Sequence, residues 1–112
     1  MDGTVTDYHA HIYYDATTRP VAEALRARIA EQFPQARLGS WHDAPVGPHT
    51  QAMYQVAFPP ELLAEFFPFL LLHRAGLVVL LHPETGNELA DHTAHAAWMG
   101  AVLPLKLTAL RP

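Results

Sequence analysis

Along residues 8–14, YHAHIYY, the side chains alternate: His9, His11 and Tyr13 fall on one side of an extended chain, and Ala10, Ile12 and Tyr14 on the other. That period of two predicts a first strand. From Thr18 the period lengthens, with Pro20 suited to a first helical turn and Val21, Leu25, Arg28, Ile29 and Phe33 recurring at helical spacing until Pro34 ends the run. Residues 36–42, ARLGSWH, predict a second strand. DAPVGP at 43–48 is a loop stiffened by two prolines, and TQAMYQVAF at 50–58 a third strand. A second helix is predicted from Pro60 through Leu62, Leu63, Phe66, Phe67 and Leu70 to about Arg74, with Gly76 as its stop and Pro68 as a kink or break. LVVLLHP at 77–83 is a continuous apolar run closed by proline, a fourth strand. ETGN at 84–87 turns the chain, residues 89–100 predict a short helix capped by Asp91, and 102–107 read as extended.

The order β-α-β-β-α-β predicts an α+β fold of the ferredoxin-like split βαβ type: a four-stranded antiparallel sheet in the order 4-1-3-2, with both helices on one face. On the first strand Ala10 and Ile12 then face the helices, which leaves His9, His11 and Tyr13 on the open face. On the third, Tyr54, Val56 and Phe58 serve the core, placing Gln51, Met53 and Gln55, and by extension His49, on the open face. An uncovered face must be polar or be closed by a second subunit. The expectation is a homodimer of the α/β-barrel type with a cavity between the sheets.

Composition narrows the chemistry that face can carry. At 112 residues the chain is one domain, 1–112, with 50% hydrophobic and 16% charged residues, enough to fold around a core. Its charge of −4 and seven scattered Lys and Arg give no basic stripe for a nucleic-acid backbone. No stretch predicts a membrane span or a signal peptide, and the lack of cysteine points to the cytoplasm and excludes a thiolate metal site. Eight histidines outnumber the Lys and Arg together.

In the 4-1-3-2 order the start of the first strand, with His9 and His11, lies beside the end of the fourth, with His82. His82 joins the open face if Val78 and Leu80 also face outward. His42 and His49 flank the proline loop near the other end of the sheet, and His92 follows the fourth strand closely enough to fold back over its end. Neutral imidazole is the commonest nitrogen ligand for zinc, iron, copper and nickel. Glu88 and Asp91, and more weakly Glu84, are candidate carboxylate ligands or partners of the histidines. Simpler roles suit the remaining residues: Trp41, Tyr54, Phe66 and Phe67 belong to a core, and His73 and His95 to a helix surface. Arg74 is either a solvated helix-end charge or a group for a substrate carboxylate.

The stretches YHAHIYYD (8–15), GSWHDAPVGPHTQAMYQVAF (39–58), GLVVLLHPETG (76–86) and DHTAHAAWMG (91–100) resemble the DOPA 4,5-dioxygenase family in order and spacing. His9, His11, His42, His49, His82 and His92 fall on motif positions, whereas LLLHRAG (70–76) departs from the pattern at His73. The resemblance implies a non-haem iron extradiol dioxygenase that opens the ring of DOPA or a related catechol with O2. It implies Fe(II) as cofactor, with zinc or another divalent metal able to replace it. Motif and face together make His11, His49 and His82 the principal ligand candidates, and the set His9, His11, His82 is the geometric rival. His9 is an alternate ligand or acid–base group; with His92 it forms the catalytic pair, and His42, Tyr13, Gln51 and Arg74 are candidates for substrate binding. The competing readings are a non-enzymatic barrel that binds a small aromatic ligand or a metal, and a haem-binding or cofactor-free oxygenase barrel.

Overall fold

The computed structural model describes residues 5–112. Strand β1 (Tyr8–Tyr13) leads to helix α1 (Arg19–Gln32), then the short β2 (Arg37–Leu38) and β3 (Met53–Phe58). A single 3-10 turn, Pro60–Leu62, enters α2 (Leu63–His73), followed by β4 (Val79–Pro83), α3 (Glu88–His92) and β5 (Ala97–Met99). The sheet runs β2-β3-β1-β4-β5 and every neighbouring pair is antiparallel. The four-strand order expected from the sequence is present whole, with a fifth strand added beside β4.

That fifth strand lies where a helix was expected. The helix at 89–100 is only five residues long, and residues 97–99 pair instead with Val79, Leu80 and Leu81. The edge of β4 would otherwise leave backbone donors and acceptors unmatched, so pairing outcompetes further helix. The cap also differs: the Asn87 side chain accepts from the Ala90 N–H, while Asp91 lies within the helix. β2 shrinks to two residues, after which Gly39 N–H donates to the Gln55 carbonyl at 2.7 Å and a bridge between His42 and Met53 rejoins the chain to β3. Pro68 lies inside α2 without breaking it into separate helices, at the cost of the one ladder bond that a residue without an N–H cannot make.

The helices bury their apolar stripe on one face of the sheet. Ala22, Leu25 and Ile29 of α1 and Phe66 and Leu70 of α2 pack on Ala10, Ile12, Tyr54, Val56, Val79 and Leu81. Phe66 meets Phe58 and Phe33 edge to face at 4.7 and 5.0 Å, a geometry that aromatic quadrupoles favour.

Part of the opposite face is covered by the chain itself. Tyr13, Met53 and Leu80 form a second apolar cluster with Val78, Trp98, Leu103 and Leu105. The segment after β5 is held there by three contacts. Leu105 bridges to His49, Lys106 N–H donates to the Pro48 carbonyl at 2.8 Å, and the Thr50 hydroxyl donates to the Pro104 carbonyl at 2.7 Å. Residues 102–107 therefore form a strap, extended only at one bridge and ending in a 3-10 turn at Leu107–Ala109. Among the described residues no helix is long and apolar enough to cross a membrane.

Candidate metal centre

Val78 and Leu80 do face away from the helices, and His82 follows them onto the strap side of the sheet. His9 stands directly opposite His82 in the β1–β4 register, and His11 Nε2 lies 3.0 Å from His82 Nε2. Two further imidazoles arrive from outside the sheet. The turn Val46–His49 closes with His49 N–H donating to the Val46 carbonyl at 3.0 Å. Gly47 takes φ 58° in that turn, where a side chain would strain the backbone. His49 is thereby folded over the sheet, although ideal strand pairing would have carried it away from His82. His92 closes the group from the end of α3, which is seated by Asn87 and by the buried Asp91. The Asp91 carboxylate accepts from Thr85 N–H at 2.8 Å, the Thr85 hydroxyl at 2.7 Å and His95 at 2.9 Å.

The result is a ring of four imidazoles. Centroids lie 4.2 Å apart for His11–His49, 6.0 Å for His49–His92, 4.2 Å for His92–His82 and 5.1 Å for His82–His11. Their protons are fixed by their neighbours. A carbonyl can only accept, so His82 Nδ1 donates to Pro83 O at 2.9 Å and His92 Nδ1 to Glu88 O at 2.8 Å; the Nε2 lone pair of His92 is left free, and that of His82 accepts from His11 Nε2–H at 3.0 Å. His49 Nδ1 shares a 2.7 Å bond with the Tyr13 hydroxyl. Ligand histidines in metal sites are oriented by a bond of this kind at the second nitrogen.

Burial holds His11, His49 and His82 neutral. It is the largest cause in each case: His11 lies well below the ordinary histidine value, and His49 and His82 are lowered to about 4. The neighbouring imidazoles add to the effect, while the Pro83 carbonyl partly offsets it at His82. Neutral imidazole is the form a metal binds. His11 Nδ1 is buried without a hydrogen-bond partner, an orphan that costs free energy until something meets it. A donor set of neutral nitrogens with one unpaired atom fits a borderline divalent metal. Two groups of three bring their ligand atoms within 4.8 Å of one another: His11, His49 and His92, and His9, His11 and His82. The set named from motif and face is divided between them, its geometric rival is one of the two, and His92 enters as a ligand candidate.

A cleft of about 250 Å³ opens against this cluster, lined by His9, His11, His49, His92, Gln55 and Glu88, with Pro48 and Leu110 as apolar walls. Tyr13 stands behind His49. His42 lies close enough to help depress the His49 pKa but belongs to neither triad. Gln51 donates to the Tyr14 carbonyl at 3.1 Å. Arg74 is not brought to the cluster: its Nη1 donates to the Leu77 carbonyl at 2.9 Å beneath Gly100, where it ties down the end of α2. Gln55 could have been added from its strand parity. Ala109 and Leu110 carry no comparable signal, since nothing local says that a C-terminal turn returns to the first strand.

Residues 8–109 match the Dopa 4,5-dioxygenase family. The chain belongs to this family. Among relatives in the DOPA dioxygenase family, a DOPA 4,5-dioxygenase of Amanita muscaria is 32% identical over 98% of this chain and 52% of its own length. A protein of Botryotinia fuckeliana, named only as an uncharacterized 21.2 kDa protein, is 36% identical over 93% of this chain and 63% of its own. The chain thus spans about half to two thirds of these curated relatives. A crystal structure from Nostoc punctiforme titled as a "putative dioxygenase" superposes with a TM-score of 0.91 at 43% identity, covering 94% of this chain and 90% of that one.

Proposed function

We propose that this DOPA dioxygenase family member is a non-haem iron extradiol dioxygenase, with a small catechol such as DOPA and O2 as substrates. The observation that carries the reading is a set of three imidazoles, His11, His49 and His92, which line a cleft open to a small molecule. Three protein ligands with room beside them is the pattern of a catalytic metal site, whereas a structural site is closed. Iron bound there supplies the one-electron chemistry that lets O2 attack an aromatic ring.

The chain's own residues do the rest. The cleft volume, below the ~300 Å³ at which ligand pockets usually begin, suits one aromatic ring. Pro48 and Leu110 offer apolar contact to its faces, and the Gln55 amide offers a hydrogen bond to a phenolic oxygen. His9 is placed to accept a catechol proton. Asp7 lies 3.7 Å from its Nε2 and Glu84 3.6 Å from its Nδ1, so a carboxylate flanks each ring nitrogen. His82 braces His11 from behind, and Tyr13 holds the ring of His49.

The test is anaerobic loading with Fe(II), followed by air and a panel of catechols. A yellow ring-opened product that requires both iron and O2 is expected. Bound iron with no product from any catechol would overturn the enzymatic reading and leave a metal-binding module.

A further inference from the structure

Apart from histidines, the charged side chains lining the cleft, among the described residues, are Glu84 and Glu88; no Arg or Lys lines it. Burial keeps His11 and His49 neutral, so they do not offset the glutamates. We infer that the cleft selects among catechols by the charge of their side chain, favouring one that ends in an ammonium group over one that ends in a carboxylate, and that Glu88 is the residue that reads this charge. The inference narrows the substrate of the functional reading above and rests on it for the place of the ring. That the cleft receives a ligand is marked by His11, which lines it, is 3% exposed and has Nδ1 without a partner. Glu88 and His92 stand four residues apart in α3, on one face and a single turn of ~5.4 Å from each other. A diol held at His92 therefore leaves the far side of its ring, and the substituent there, beside Glu88. The Glu88 carboxylate accepts one long hydrogen bond, 3.4 Å from the Arg111 N–H to Oε1, which leaves Oε2 for a ligand. The cations that could have received a carboxylate are engaged elsewhere. Arg37 is held by both oxygens of Asp7, Arg74 donates to the Leu77 carbonyl, and Lys106 lines a different cleft with Val46 and Thr50. Selection of this kind works as much by rejecting the wrong charge as by holding the right one.

Three catechols with the same two-carbon spacer test it: dopamine, which ends in an ammonium, 4-propylcatechol, its uncharged counterpart, and 3-(3,4-dihydroxyphenyl)propionate, which ends in a carboxylate. Isothermal titration reads their affinities without turnover, on the protein as purified and after loading with zinc, which has no redox chemistry. Dopamine is expected to bind tightest and the propionate weakest, about tenfold apart at low salt and closer as salt rises, because both glutamates act partly through water. DOPA, which carries both groups, should fall between. E88Q keeps the shape and should cut the ratio about threefold, and E84Q combined with E88Q should abolish it. Circular dichroism checks that the variants fold; the salt dependence of the wild-type ratio carries the test if one does not. Equal affinities, a preference for the propionate, or a ratio that the double substitution leaves unchanged would each overturn the inference. An order set by charge with no ring-opened product would overturn only the functional reading, ring opening that favours the propionate only the inference, and a cleft that binds none of the three would overturn both.

Discussion

The two faces of the sheet are built from the same strands, yet they are in opposite energetic states. On the helix side Ala10, Ile12, Val56 and Val79 are wholly buried among apolar partners. On the strap side His11 and His82 are only 3% and 1% exposed, but what surrounds them is more imidazole. The helix face gains free energy from its burial. The strap face loses some, because polar rings have left water and one nitrogen has no partner. A strand's period of two lets alternate residues of β1 serve both purposes without interfering. Stability and chemistry are thus separable here to an extent that mutations can measure.

The largest expected effect is on the helix face. Phe66→Ala removes a wholly buried ring that stacks edge-on to two others, and should cost ~3–5 kcal/mol in urea unfolding. A loss below 1 kcal/mol would mean the rings around Phe66 collapse into the space.

The strap face should respond to acid next. The folded pKa of His49 and His82, about 4, is depressed below the ~6.5 of an unfolded chain, so the unfolded state binds more protons as pH falls. Stability of the metal-free protein is full above about pH 6.5 and is lost as pH falls toward 4. Between pH 7.5 and 5.0 the urea midpoint should drop by the equivalent of about 2 kcal/mol or more. Asp91, held below the ordinary carboxylate value by its hydrogen bonds despite its burial, does not titrate in that window. Equal midpoints would show that the folded cluster takes up protons freely.

Tyr13→Phe links the two faces' logic. It leaves the shape intact and removes the partner of His49 Nδ1, with an expected cost of about 1 kcal/mol in stability and about tenfold in metal affinity. Unchanged affinity would mean that His49 needs no brace. The smallest effect belongs to neither face: Leu72, on the outer side of α2 and 76% exposed, should tolerate Leu72→Gln within about 0.5 kcal/mol.

What could be read from the sequence follows the reach of local physics. Alternation in YHAHIYY and the helical spacing after Thr18 are decided by neighbouring residues, and both give the observed β1 and α1. Strand order follows from the element sequence, and with it the opposition of His9 and His82. The departures lie where distant backbone decides. β5 exists because β4 offers an unpaired edge, and the open face is covered because Pro48 and Thr50 find partners in residues 104–106. His49 was assigned to the site by motif but displaced by strand geometry, since the turn through Gly47 obeys loop rules. Arg74 shows the converse: its place at a helix end suits a solvated charge or a group for a substrate carboxylate, whereas its partner in the fold is a carbonyl three residues on.

The His11–His82 contact joins positions 71 residues apart, and His92 comes later still. Loop closure over such a span is slow, and it rewards the chain only after the intervening elements have docked. On a ribosome, His9 and His11 emerge well before His82 and His92 and must wait until those partners are made. Metal capture by the complete cluster therefore marks the end of folding, and a chelation signal in a refolding experiment would act as a clock for the final assembly step.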